Sequence, residues 1–349
     1  MPFSDGLADF RSDTVTRPTP RMLEAMVNAP LGDDVYQDDP TVNLLQEESA
    51  EVVGKEAAIY VPTGTMGNQL SIMFHTNPGE EILANGGSHL RSIEAGAPQA
   101  LSGVAFRTVE REGGQIHPED VDAAMATAGF VPEFGLHVFP RIGLMTWENT
   151  HNMSGGRVIP YDVMKKTSER ARDHGLSIHL DGARIWNAVA ATGIDGPKWG
   201  ELTDTIQFCF SKGLGAPIGS IVCGPKDTID EIRYLRERMG GGMRQAGVIA
   251  AAARVGLAER ERLIEDHQLA QKLAIGMAER YPGSIDPAEV ETNLVSIDFS
   301  ALGLQWGDVA GRLAEANIKA NAPLRGRWRV VTHRDVDEAD VDRLFGALR

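Results

Sequence analysis

A lysine at position 212 stands where an apolar, β-prone run from Thr205 to Phe210 breaks off, and glycines at 213, 215 and 219 let the backbone fold tightly around it. A lysine amine at the mouth of an apolar pocket can lose its proton and form a Schiff base with an aldehyde. A second apolar run, Ile178-His179-Leu180, delivers Asp181 at its end, with Gly182 following where the chain must turn close to something. Such an aspartate often only caps a turn, but it can also hold a proton on a heterocyclic nitrogen. A third run, Ala57 to Val61, leads into Pro62-Thr63-Gly64-Thr65-Met66-Gly67-Asn68, where a helix is expected to begin. The free N–H groups and hydroxyls of such a turn suit a phosphate, although Thr-Gly-Thr is also an ordinary cap.

Aldehyde acceptor, ring-nitrogen partner and phosphate cradle together match the demands of pyridoxal 5'-phosphate (PLP). Two rival readings are weaker. His179 and Asp181 have the look of a metal pair, yet no third ligand lies close in sequence, and no metal site is expected. A nucleotide on Gly213 to Gly219 is disfavoured because the spacing misses G-x-G-x-x-G by one residue and Pro217 leads into a strand, where that motif requires a helix.

The elements that must carry these residues alternate. Strands are expected at Ala57–Val61, Glu81–Ala84, Val104–Val109, Ile142–Trp147, Leu176–Leu180, Thr205–Phe210 and Ile218–Cys223. Helices are expected at Pro20–Asn28, from Pro40 with Asp39 as N-cap to a stop at Gly54, up to His75, at Pro118–Ala128, Pro160–His174 and Thr228–Met239, and as one long helix from Gln245 to Arg280. This order predicts an α/β fold with a mostly parallel sheet, in which ligands collect at the carboxyl ends of the strands. Strands Leu294–Phe299 and Arg327–Thr332 with helices Trp306–Asn317 and Glu338–Leu348 predict a smaller α+β domain. The division is an N-terminal arm over 1–19, a large domain over 20–283 and a small one over 284–349. The arm is polar and proline-limited, of a kind that often crosses onto a neighbour.

With 349 residues, 42% hydrophobic and 24% charged, the chain has the composition of a globular protein of about two domains. A formal charge of −15 opposes binding to nucleic acid or to anionic membrane surfaces. No apolar run approaches the roughly 20 residues of a membrane span, and the stretch MPFSDGLADFRSD has no apolar signal core, so a cytoplasmic protein is expected. Cys209 and Cys223 each lie in an apolar segment and read as buried free thiols of a reducing compartment.

Motifs along nearly the whole chain carry a further signal: Asp9-Phe10-Arg11-Ser12-Asp13-Thr14-Val15-Thr16, Gly32-Asp33-Asp34-Val35-Tyr36, Pro62-Thr63-Gly64-Thr65, Glu148-Asn149-Thr150-His151-Asn152, His179-Leu180-Asp181-Gly182-Ala183-Arg184, Ser211-Lys212-Gly213-Leu214-Gly215, Gly240-Gly241-Gly242-Met243-Arg244-Gln245 and Arg329-Val330-Val331-Thr332-His333. In this order they resemble the low-specificity L-threonine aldolases, PLP enzymes of the aspartate-aminotransferase type also grouped as β-eliminating lyases. The resemblance implies retro-aldol cleavage of a β-hydroxy-α-amino acid, L-threonine or L-allo-threonine, to glycine and acetaldehyde, in a homotetramer arranged as a dimer of dimers. It implies Lys212 as the Schiff-base lysine, Asp181 as partner of the pyridine nitrogen, and Gly64 and Thr65 at the phosphate. His89 matches the histidine that stacks on the cofactor and is one candidate base; His151 matches a histidine near the substrate hydroxyl. Ser12, Arg184 and Arg329 match groups that hold the substrate carboxylate, and Arg244 a group that reaches a phosphate, that of a neighbouring subunit. One departure stands out: Leu90-Arg91-Ser92-Ile93 follow His89, where such enzymes commonly carry an aromatic residue. It opens two alternatives, action on bulkier β-hydroxy amino acids such as phenylserine or β-elimination; a third is a catalytically silent relative.

Overall fold

The computed structural model describes residues 6–133 and 135–349; residues 1–5 of the expected arm lie outside the described residues. Its centre is a seven-stranded sheet of β2 (Ala57–Val61), β3 (Glu81–Asn85), β4 (Ala105–Val109), β5 (Ile142–Glu148), β6 (Ser177–Asp181), β7 (Thr205–Cys209) and β8 (Ser220–Gly224). The other strands are β1 (Ala8–Asp9), β9 (Leu294–Asp298), β10 (Ile318–Lys319) and β11 (Arg327–Val331). In the central sheet the order is β2-β8-β7-β6-β5-β3-β4. Every neighbouring pair is parallel except those of β8, which runs antiparallel to both β7 and β2. The reason is the connection: the segment between β7 and β8 is too short for a crossover, so the chain folds straight back.

Strands β6, β7 and β8 are buried almost throughout, as expected for a sheet covered on both faces. Helices on either side supply the cover, among them Gly64–His75 and Lys226–Arg238 near β2 and β8. The short strand pairs β9–β11 and β1–β10 lie with a second apolar cluster built around Leu273, Met277, Val295, Trp328 and Leu344. Phe10, fully buried, belongs to this cluster, so the described part of the N-terminal segment packs on residues of its own chain.

The single helix expected from Gln245 to Arg280 is two helices, Gly247–Ala258 and Leu263–Arg280, joined by a 3₁₀ turn at Arg260–Arg262. Two cores explain the break. Ala250, Ala253 and Leu257 pack into the large cluster, whereas Ala270, Leu273 and Met277 pack into the second, and one straight stripe cannot face both. Arg260 Nη1 donates to the Leu257 carbonyl at 2.9 Å and satisfies one of the groups freed at the break.

Candidate active site

The loop from Phe210 to Gly219 closes a β-hairpin between β7 and β8. Phe210 N donates to Gly219 O and Ala216 N to Phe210 O, both at 3.0 Å, and the Lys212 carbonyl accepts from Gly215 N at 2.8 Å. Thr16 from the N-terminal segment adds a hydroxyl to the same carbonyl at 2.9 Å. The lysine backbone is thus held from two directions, while its side chain makes no hydrogen bond or ion pair among the described residues.

Lys212 lines a cavity of about 320 Å³ together with Gly64, Thr65, His89 and Asp181, so residues far apart in the chain share one space. A larger cavity, about 500 Å³, lies beside Arg21, Glu48 and Arg254, but it holds no lysine, so chemistry favours the smaller one. The turn after β2 opens the helix Gly64–His75, with Thr63 as N-cap accepting from Met66 N at 3.1 Å. A side chain at Gly64 would bring its Cβ within 2.9 Å of Cys209 Sγ and 3.1 Å of Gln207 Nε2, so only glycine lets this helix start seat against β7. The free N–H groups of such a helix start suit an anion.

Asp181 is buried at the carboxyl end of β6, where its Oδ1 accepts from Ala183 N at 3.1 Å and its Oδ2 from Asn68 Nδ2 at 2.9 Å. His89 enters a short helix, His89–Ser92, with its Nδ1 2.9 Å from Glu94 Oε1. Burial works against charge on His89, but the Glu94 hydrogen bond and the carboxylates of Asp181 and Glu148 outweigh it and hold the imidazole above its ordinary pKa. Glu94 is itself buried and takes further hydrogen bonds from Asn68 Nδ2 (2.9 Å) and Gln69 Nε2 (2.6 Å).

The other expected residues do not line this cavity. Arg184 places Nε and Nη2 on the two carboxylate oxygens of Asp13, each at 2.7 Å, so that edge of its guanidinium is taken. Asp13 is fully buried. Burial alone would raise its pKa, but Arg184, Lys212 and Asn293 together hold it well below the usual carboxylate range. Arg329 donates from Nη1 to Asn152 Oδ1 at 2.8 Å, and burial, joined by the charge of Arg184, lowers its pKa. Ser12 Oγ accepts from Thr14 N at 3.2 Å. His151 has Nδ1 2.7 Å from Ser154 Oγ, and its ring packs under Gly114 and Gly87. Arg244 is largely exposed, with Nη1 3.3 Å from Asp33 Oδ2.

Sequence reasoning passed over Asn68, Glu94, Asp13 and Glu148 as site residues. Glu148 accepts from His89 N at 2.6 Å and from Asn152 N at 2.8 Å, joining the His89 turn to the side chain that meets Arg329. Its burial next to two histidine-bearing segments was a signal that only the fold displays.

A lysine, a carboxylate and a helix N-terminus at the carboxyl ends of an α/β sheet define the class of proteins that anchor an aldehyde cofactor covalently. Comparison narrows the class. The beta-eliminating lyase family matches residues 9–300, and the chain belongs to that family. A protein of Arabidopsis thaliana named probable low-specificity L-threonine aldolase 2 is 39% identical over 344 residues, covering 97% of this chain and 96% of its own. The low specificity L-threonine aldolase of Escherichia coli (strain K12) is 39% identical over 339 residues, covering 95% of each chain. The fold is also that of a solved Leishmania major threonine aldolase, with a TM-score of 0.79 at 18% identity over 98% of both chains.

Proposed function

We propose that the protein cleaves the Cα–Cβ bond of a β-hydroxy-α-amino acid, L-threonine or L-allo-threonine, releasing glycine and acetaldehyde with PLP as cofactor. The observation that carries this reading is the meeting of Lys212, Asp181 and the Gly64 helix start in one cavity, in a chain whose relatives bear the name threonine aldolase. The residues fit the cofactor: Lys212 would hold its aldehyde carbon, Asp181 its ring nitrogen, His89 a ring face, and Gly64 and Thr65 its phosphate, while Arg244 would reach the phosphate bound in a neighbouring subunit. When bound, PLP supplies an electron sink for the pair released at Cα.

The chain's own groups do the rest. Arg329 and the edge of Arg184 not engaged by Asp13, with Ser12, hold the substrate carboxylate and so fix which bond at Cα is aligned for cleavage. His89, in the cavity, takes the β-hydroxyl proton directly or through water as the aldehyde forms. His151, whose ring lies beside Gly87 and Gly114, is the other candidate for that base. Burial of Asp181 and Glu94 keeps water from competing for the N–H groups whose hydrogen bonds they accept.

The turnover test is release of acetaldehyde and glycine from L-threonine by the PLP-loaded protein, with Lys212→Ala as control. Equal turnover by Lys212→Ala would rule the mechanism out. A second reading, bulkier substrates such as phenylserine, draws on Ile93, half-exposed where an aromatic residue is common; relative kcat/KM for phenylserine and threonine decides it. The same reading includes a homotetramer in the reducing cytoplasm. Exposed Val27, Leu31 and Tyr36 offer apolar surface to a neighbour, and both cysteines are buried free thiols. No described helix is long and apolar enough to cross a membrane.

A further inference from the structure

From the cavity wall at Asn68 a line of polar side chains that the proposed reaction does not use runs inward. Asn68 sits one turn into the helix Gly64–His75 and is 2% exposed. Its Nδ2 donates both to Asp181 Oδ2 and to Glu94 Oε1, each at 2.9 Å. Both amide hydrogens are then spent, so Oδ1 must accept, and His179 Nε2 lies 3.1 Å from it. His179 Nδ1, left without a proton, accepts from the Thr205 hydroxyl at 2.9 Å, and the Thr205 oxygen accepts from His75 Nε2 at 3.0 Å. Each link fixes the tautomer of the next.

Geometry places these residues deliberately with respect to one another. His179 and Asp181 are two apart on β6 and share a face, and Asn68 and His75 are seven apart on one helix and share a face. The helix therefore lays one amide between two anions. Acceptor atoms of Glu94 and Asp181, with a nitrogen of His89, lie within 4.8 Å of one another, a separation at which two buried carboxylates repel strongly unless a donor stands between them.

We propose that Asn68, oriented by His179, is a positioning residue that couples the two cofactor-facing subsites, one amide holding the Asp181 and Glu94 carboxylates in place together so that one grips the ring nitrogen while the other holds His89. The groups facing His89 are Glu94 on its own loop, Asp181 on β6 and Glu148 on β5, and Lys212 faces the same cavity. Removing the shared amide leaves the two carboxylates facing each other with no donor between them, and repulsion drives them apart. Glu94 then turns from His89, and Asp181 from the ring nitrogen.

The consequence for cofactor binding rests on the PLP reading; the coupling itself does not. The test is Asn68→Leu, with two readouts: PLP dissociation by equilibrium dialysis, and the His89 titration midpoint by ¹⁵N-histidine NMR in PLP-loaded and PLP-free protein, its signal assigned with His89→Asn. PLP binding is expected to weaken at least tenfold and the His89 midpoint to fall by at least half a pH unit in both forms. A folded Asn68→Leu protein that binds PLP within threefold of wild type with an unmoved His89 midpoint would overturn the proposal. Should that variant not fold, His179→Gln, which keeps an N–H for Asn68 Oδ1, is expected to behave as wild type while His179→Leu shifts both readouts; equal behaviour of the two would overturn it. Wild-type protein that takes up no PLP would defeat the functional reading, and the His89 shift in PLP-free protein would still decide the coupling.

Discussion

At the scale of single residues, Asp13 turns the expectation for Arg184 into something more specific. The arginine is near the cavity, but its best fork is engaged by a buried aspartate, which fixes the guanidinium before any substrate arrives. Asp13→Ala leaves a buried, unpaired guanidinium, at a cost of about 3–5 kcal/mol, so both the thermal midpoint and kcat/KM are expected to drop, the latter mainly through KM. A variant with unchanged KM for L-threonine would show that Arg184 plays no part in carboxylate binding. His89 gives a second expectation. Its pKa is held above the ordinary value, so a role as base requires kcat/KM to rise with pH from about 6.5 upward, because only the deprotonated imidazole accepts the hydroxyl proton. A pH profile flat from 6 to 9 would remove His89 from that role. Lys212 and Asp181 were legible in the sequence because strand, polar residue and glycine are neighbours in the chain. Asn68 and Glu94 were not, since an asparagine inside a helix and a glutamate after a turn gain meaning only when β6 is brought beside them.

Among the elements, caps and starts were the readable part. Asp39 and Pro40 mark the beginning of the helix Pro40–Val52, and Asp39 Oδ1 indeed accepts from Thr41 N and Val42 N, both at 3.0 Å. The same buried carboxylate does a second job. Its Oδ2 accepts at 2.9 Å from Gly247 N, at the start of the helix Gly247–Ala258, a partner 208 residues away that no local pattern could disclose. One aspartate therefore caps two helices, and Asp39→Ala should cost about 2–4 kcal/mol where an ordinary cap costs about half of that. Chemical denaturation compares it with Thr19→Ala, a single cap on the helix Pro20–Val27; equal losses would refute the double role. The strands β1 and β10, two residues each, escaped sequence reading because nothing in so short a run sets a period; tertiary pairing defines them.

For the whole molecule, the order of strands and helices was legible because each alternates at its own period, whereas the distribution of residues between two cores was not. Phe10 and the second half of the expected long helix belong with the C-terminal cluster, a fact of packing that composition does not carry. His179 and His267, buried, and His75, half-buried, limit the molecule's tolerance to acid. Burial lowers the pKa of His75 and His267 to about 4, and burial together with the His75 charge lowers that of His179 to about 3. The unfolded chain takes up these protons near pH 6.5 and the folded one only below about 4, so stability is expected to fall as pH drops from about 6.5 toward 4, by on the order of 1–3 kcal/mol for each histidine. A thermal midpoint constant between pH 7 and 5 would contradict this. The one antiparallel strand of the central sheet, β8, also sets an order of assembly. Strand β2, which leads into the Gly64 helix start, pairs in the sheet with β8 alone, and β8 is the last strand of that sheet to leave the ribosome. The Lys212 hairpin cannot close, and β2 has no partner in the sheet, until residues 220–224 have emerged, so a nascent chain arrested before them should carry its lysine yet be unable to retain the cofactor.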